Sequence, residues 1–289
     1  MQLSDPGVIM PILKSHGFKI SKSLGQNFIT DPAVCPRMAE ACGASERTGV
    51  IEIGPGLGVL TASLSKRAGK VAAVELDKRL IPVLNETLSG LENVKIINGD
   101  ALKIDIKGLI QSEFGGMENT IVCANLPYYI TTPVIMRFLE ERPGVASVTA
   151  MVQKEAAARL CAEPGTRECG AVSAAVHYFS EPRVLFEVPR ASFYPQPNVD
   201  SAVIKLNVRK EPPVKPQNEK FFFALIKAAF CMRRKTILNS ISAGICADKK
   251  ALLPAFEAAG IKPGLRAEQL TLENFSALSD ALCQAEAAK

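Results

Sequence analysis

Short β-branched apolar runs recur along the first 208 residues, and most end in a glycine, an acid or an amide. Val50–Ile53, Val71–Val74, Val94–Ile97, Thr120–Ala124 and Val145–Met151 each have the length and composition of a buried strand. Helical stretches lie between them. Asp31 is placed to cap a helix that has Pro32 in its first turn and runs to about Cys42, where Gly43 stops it. A second spans Val59 to about Arg67, and a third follows Gln153-Lys154-Glu155 through Leu160. Strands alternating with helices predict an α/β fold with a parallel sheet. Val184–Val188 and Ala202–Val208 alternate as strands around the stiff loop Phe193-Tyr194-Pro195-Gln196-Pro197-Asn198-Val199-Asp200. In that loop Phe193 and Tyr194 either wall a pocket or join the core.

Beyond Lys210-Glu211-Pro212-Pro213-Val214-Lys215-Pro216 the pattern changes to helical spacing, with Phe222, Leu225, Ile226 and Ala229 on one face. Weaker helical periods cover Leu252–Ala259 and Phe275–Cys283. The expected organisation is a basic N-terminal arm over 1–24 carrying Lys14, Lys19 and Lys22, an α/β domain over 25–209, a linker over 210–217 and a helical domain over 218–289. There is no internal repeat.

Composition narrows the class. At 47% hydrophobic and 22% charged residues the chain can bury an ordinary core. No run is long enough to span a membrane and no signal peptide is evident, so a cytoplasmic protein is expected. Eight cysteines without a CxxC pair or a Cys/His cluster argue against zinc and read as reduced, mostly buried thiols. A net charge of +5 permits nucleic-acid binding without requiring it.

The candidate chemistry sits at strand ends, where ligands of parallel sheets gather. Val50–Ile53 runs into Gly54-Pro55-Gly56-Leu57-Gly58, a turn that lets a ligand approach the backbone closely. Its third glycine falls one residue earlier than in a dinucleotide fingerprint, which favours a ligand without a pyrophosphate. Glu75 ends the next strand, where an acid can bind both hydroxyls of a ribose; Glu52 and Glu75 are otherwise solvated or capping acids. Asp100 either accepts from an adenine amino group or caps its turn. Asn125-Leu126-Pro127-Tyr128 closes the fourth strand, and Pro127 holds Leu126 extended and removes a donor. The Asn125 amide oxygen and the Leu126 carbonyl, beside the flat ring of Tyr128, suit the exocyclic amino group of a planar base, adenine N6 foremost. Arg233-Arg234-Lys235 is either a solvated face or a phosphate contact.

Taken together, Leu24-Gly25-Gln26-Asn27-Phe28, Glu52-Ile53-Gly54-Pro55-Gly56, Asn125-Leu126-Pro127-Tyr128, Phe193-x-Pro-x-Pro-x-Val-Asp-Ser and Arg233-Arg234-Lys235 resemble, in order, the small-subunit ribosomal RNA adenine dimethyltransferases of the KsgA/RsmA type. The resemblance covers the chain beyond the N-terminal arm. It implies a Rossmann-like S-adenosylmethionine-dependent methyltransferase fold with a small C-terminal helical domain. It implies N6,N6-dimethylation of two adjacent adenosines in the last hairpin loop of small-subunit rRNA, on a nearly assembled subunit; a monomer is expected, though the sequence itself leaves the oligomeric state open. Asn27 and Ile29 would then edge the cofactor site, Gly54 lie against the methionine part and Glu75 hold the ribose. Asp100 would meet the adenine amino group, Asn125 would touch both cofactor and target, and Leu126, Pro127 and Tyr128 would complete the catalytic bend. Arg233, Arg234 and Lys235 would contact RNA. One departure is Cys169, where relatives often carry an aromatic. The competing readings are a large-subunit rRNA dimethyltransferase, an adenine-N6 DNA methyltransferase and a non-enzymatic ribosome-assembly factor.

Overall fold

The structure, a computed structural model, describes residues 2–18 and 27–287. Lys19, Lys22 and the Leu24-Gly25-Gln26 part of the first motif lie outside the described residues. The chain forms two compact units, Met1–Ala157 with Arg183–Val208, and Ala158–Pro182 with Arg209–Lys289.

The first unit opens with helix α1 (Pro6–Ser15), where an irregular basic arm was expected. Its Asp5 side chain accepts from the Gly7 N–H at 2.8 Å, and Ile9 and Leu13 are buried against Phe28, Leu57 and Leu84. Those two apolar positions, four apart on one helical face, outweigh Lys14 as a structural signal. Next come β1 (Phe28–Ile29), α2 (Val34–Ala41), β2 (Thr48–Ile53), α3 (Val59–Ser65), β3 (Lys70–Glu75), α4 (Ile81–Thr87) and β4 (Val94–Asn98). Then follow α5 (Ile106–Phe114), β5 (Asn119–Asn125), α6 (Thr131–Glu140), β6 (Val145–Gln153) and α7 (Lys154–Leu160). Asp31 does not cap α2 directly. Its Oδ1 accepts from the Ala33 N–H at 2.9 Å in the turn before the helix.

After α8 (Ala171–Phe179) the chain returns through β7 (Ser180–Val188), β8 (Phe193–Tyr194) and β9 (Ser201–Val208). The seven-stranded sheet has the order β4-β3-β2-β5-β6-β9-β7. From β4 to β6 all neighbours are parallel, and β9 joins β6 antiparallel. The central strands are buried on both faces, which is why they read as unbroken apolar runs. The strand order reverses between β2 and β5, and a ligand crevice is expected at such a reversal. A separate two-stranded ladder pairs β1 with β8, Phe28 opposite Tyr194 and Ile29 opposite Phe193.

The second unit is helical, with α9 (Glu219–Ala229), α10 (Ile237–Gly244), α11 (Lys249–Ala258) and α12 (Leu272–Ala287). It also takes in residues 158–182, so the α/β region is not the continuous 25–209 segment expected. The cause is aromatic packing: the Tyr178 ring lies 5.3 Å from that of Phe222 and 5.0 Å from that of Phe223, and Phe179 stacks on Phe223 at 5.3 Å. The Tyr178 hydroxyl donates to Glu219 at 2.8 Å. Cys169, the departure from the family pattern, is buried just before α8. Cys231 and Cys246, by contrast, are exposed. No helix among the described residues is long and apolar enough to cross a membrane.

Candidate active site

The carboxyl ends of β2, β3, β4 and β5 open onto one cleft in the first unit, enclosing about 1080 Å³ with its open mouth included. Asn27, Ile29, Gly54, Glu75, Asp100, Asn125, Leu126, Pro127 and Tyr128 all line it. These nine are brought together from five separate stretches of the sequence.

Gly54 and Gly56 turn the chain out of β2 with φ of 68° and 60°, a left-handed backbone that glycine adopts without strain. The Gly54 N–H donates to the Val74 carbonyl at 2.9 Å, locking the turn to β3. A Cβ at Gly54 would point at the Pro127 Cδ, 3.8 Å away, so the missing side chain keeps the gap between the two loops open.

Glu75, at the end of β3, is buried and accepts from the backbone at both oxygens: Oε1 from Asp77 N–H at 2.8 Å and Oε2 from Gly56 N–H at 3.3 Å. Burial raises its pKa, and those N–H groups oppose the rise. Glu52, one strand over, is neither solvated nor capping. It is buried, and its Oε2 has no partner among the described residues. Burial pushes its pKa up to about 8; the nearby Thr61 hydroxyl tempers this without reaching hydrogen-bond geometry, and the Glu75 charge adds to it. Glu52 is therefore a neutral acid at pH 7, set behind an ordinary-looking motif position.

Of the two roles considered for Asp100, the structure shows the turn cap. The residue lines the cleft, and its Oδ1 caps its own turn by accepting from the Leu102 N–H at 2.9 Å. Its loop is pinned from α6, where Arg137 donates to the Ala101 carbonyl at 2.7 Å and to the Ile104 carbonyl at 2.6 Å. Nothing in the sequence singled out Arg137, because its partners lie more than thirty residues away.

The bend after β5 distributes its polar atoms unevenly. The Leu126 N–H donates to the Met151 carbonyl at 3.3 Å, which fixes the chain to β6. The Pro127 carbonyl accepts from the Ile130 N–H at 3.1 Å and from the Thr131 hydroxyl at 3.3 Å as α6 begins. Among the described residues nothing pairs with the Asn125 side chain or the Leu126 carbonyl. The Tyr128 hydroxyl lies 3.0 Å from the Ser201 hydroxyl, and burial raises its pKa against that hydrogen bond. Tyr129, overlooked in the sequence, is exposed at the cleft mouth. Its neighbouring aromatic was the available signal.

Arg233, Arg234 and Lys235 lie in the second unit, in the turn after α9, and all three are exposed. Arg233 donates to the Arg167 carbonyl at 3.3 Å, and no described carboxylate pairs with any of the three.

The chain is 47% identical over 283 residues to ribosomal RNA small subunit methyltransferase A of Geobacillus sp. (strain WCH70), covering 97% of each chain. It is 46% identical to the protein of the same name from Alkaliphilus oremlandii, covering 98% of this chain and 99% of that one. Among solved structures it resembles the 23S rRNA methyltransferase ErmE, with a TM-score of 0.67 and 26% identity over 89% of this chain and 100% of that chain. A dimethyladenosine transferase from Plasmodium falciparum shares the fold, with a TM-score of 0.74 and 24% identity over 90% and 98%. Residues 17–284 match the description "Ribosomal RNA adenine dimethylase", and the chain belongs to that family.

Proposed function

We propose that the chain dimethylates N6 of two adjacent adenosines in the 3′-terminal hairpin loop of small-subunit (16S) rRNA, with S-adenosylmethionine as donor. It acts as a cytoplasmic monomer late in small-subunit assembly. The observation carrying this reading is that the Asn125 amide and Leu126 carbonyl, without a partner among the described residues, open onto the same cleft as Glu75 and Asp100.

The residues present suit the donor. The side-chain-free gap at Gly54 admits its methionine part, and Asn27 and Ile29 edge the same space. Glu75, with both oxygens aimed by backbone N–H groups, keeps lone pairs for two ribose hydroxyls. Asp100 is held in place to accept from the adenine amino group. When bound, the donor supplies a methyl carbon already activated by its sulfonium.

The protein's task is then alignment and charge stabilisation rather than proton transfer. Adenine N6 is a poor nucleophile because its lone pair is delocalised into the ring. Accepting its N–H bonds at Asn125 Oδ1 and the Leu126 carbonyl, two in the first transfer and one in the second, favours the pyramidal nitrogen and stabilises the positive charge that develops during attack, and the surplus N6 proton then leaves to solvent. Tyr128 offers its ring as a stacking face, an interaction of ~1–3 kcal/mol at single-stranded base sites. Arg233, Arg234 and Lys235 suit RNA phosphates, since they are exposed and no described carboxylate pairs with them.

The test is incubation with labelled S-adenosylmethionine and undermethylated small subunits, followed by nucleoside analysis. Label in N6,N6-dimethyladenosine from small-subunit rRNA is expected. The likeness to ErmE makes isolated large subunits the necessary second arm. Label found there instead would overturn the substrate assignment.

A further inference from the structure

The segment from Phe193 to Ser201 stands out in the sequence yet has no part in the mechanism above. The structure shows how firmly it is held. Phe193 pairs with Ile29 at the cofactor edge, and the Ser192 carbonyl accepts from the Thr30 N–H at 2.9 Å. The Ser192 hydroxyl donates to Asp31 at 3.2 Å. At the far end, Asp200 Oδ1 accepts from the Arg190 N–H at 2.9 Å, closing the loop on itself. The Asp200 carbonyl accepts from the Lys154 N–H at 3.0 Å, and Ser201 then enters β9 opposite Gln153. Ser201 is fully buried in that ladder, and its hydroxyl reaches the Tyr128 hydroxyl at 3.0 Å across 73 residues of sequence.

A tyrosine side chain held only at its backbone retains torsional freedom about the Cα–Cβ bond, which swings the ring and its oxygen together. Fixing the phenol oxygen against a rigid strand removes most of it. Tyr129 provides the internal comparison, since it is exposed at the same mouth and no described residue pairs with its hydroxyl.

We propose that Ser201 is a positioning residue for methyl transfer: through the Tyr128 hydroxyl it sets the position of the ring against which the target adenine is held. This rests on the reading of Tyr128 as the base platform, so the experiment separates the two. Ser201→Ala, Tyr128→Phe, the double variant and Tyr128→Ala are assayed on undermethylated small subunits, with Tm measured for each. Removing either end of one neutral hydrogen bond is expected to lower kcat about 3- to 10-fold. KM for S-adenosylmethionine stays at its native value. The double variant is no slower than the slower single one, because both changes delete the same bond. Losses that multiply in the double variant would overturn the proposal, as would a Ser201→Ala enzyme of native turnover. Should Ser201→Ala not fold, Tyr128→Phe alone must show the kcat loss, and native turnover there has the same consequence. Tyr128→Ala tests the platform: it must be slower than Tyr128→Phe. If Tyr128→Ala is slow while Ser201→Ala is native, only the tether fails; if Tyr128→Ala is native, the platform reading fails and takes the tether with it.

Discussion

The two sides of the cleft differ in how many polar atoms are already engaged. On the side of β3 and β4, Glu75 accepts from the backbone at both oxygens, Asp100 caps its own turn and Arg137 pins the loop between them and α6. On the side of β5, the Pro127 carbonyl and the Tyr128 hydroxyl are tied down, while the Asn125 amide and the Leu126 carbonyl have no described partner. On the function proposed above, the first side holds a ligand that is the same in every turnover, and its acceptors are fixed in advance. On the same proposal, the second accepts from a nitrogen that arrives with the RNA. Acceptors at an open mouth stay solvated until then, so leaving them unclaimed costs little.

The largest effect is expected where the free acceptors are. Asn125→Ala removes one preorganised acceptor from the developing charge and should lower kcat on the order of 10²–10³-fold. Tm should hardly move, because the side chain bonds to no described neighbour. A variant with near-native turnover would erase the contrast between the two sides.

Glu75→Gln addresses the other side. Losing a charge-assisted hydrogen bond, about 1.5–3 kcal/mol, should weaken S-adenosylmethionine binding roughly 10- to 100-fold. The defect should appear in the donor's Kd, measured by calorimetry, more than in kcat at saturation. A pure kcat loss would mean that Glu75 belongs functionally to the target side.

These strand-end residues were legible because a parallel sheet gathers its carboxyl ends, so locating the strands located Gly54, Glu75, Asp100 and Asn125. What supports them was not. Arg137 and Ser201 act over sequence separations that no local pattern records. Helix α8 escaped for a different reason: Ala171–Phe179 is apolar nearly all round and most of it is buried, so it has no polar face to mark a helical period. That omission carried the domain boundary with it, since Tyr178 and Phe179 are what join residues 158–182 to the helical unit.

Arg137→Met sharpens the comparison at intermediate size. It keeps an apolar stem but releases the Ala101 and Ile104 carbonyls, so Asp100 is no longer fixed before the ligand arrives. A loss of about 1–2 kcal/mol in stability is expected. KM for the donor should rise several-fold, by more than kcat falls. Equal changes in the two would show that the pinned loop is not specific to the donor side.

The effect smallest on turnover concerns a buried carboxyl on the pinned side, Glu52, whose Oε2 has no partner among the described residues. With a folded pKa of about 8 against an ordinary value near 4.5, Glu52 is protonated in the native state and ionised in the unfolded chain throughout that interval. Between those values the folded protein binds one more proton than the unfolded one, so its stability falls as pH rises. The contribution is fully present below the unfolded pKa and is gone above about pH 8. Glu75, also raised by burial, adds to the same slope. Glu52→Gln mimics the protonated acid and removes one of the two contributions. Its Tm should therefore match the native protein near pH 5 and exceed it by on the order of ten degrees near pH 8, with the curve flattened but not level. Parallel curves across that range would mean that Glu52 is ionised when folded. The donor side would then hold a further negative charge beside Glu75 and Asp100, and its difference from the neutral acceptors of Asn125 and Leu126 would be one of charge rather than of prior engagement.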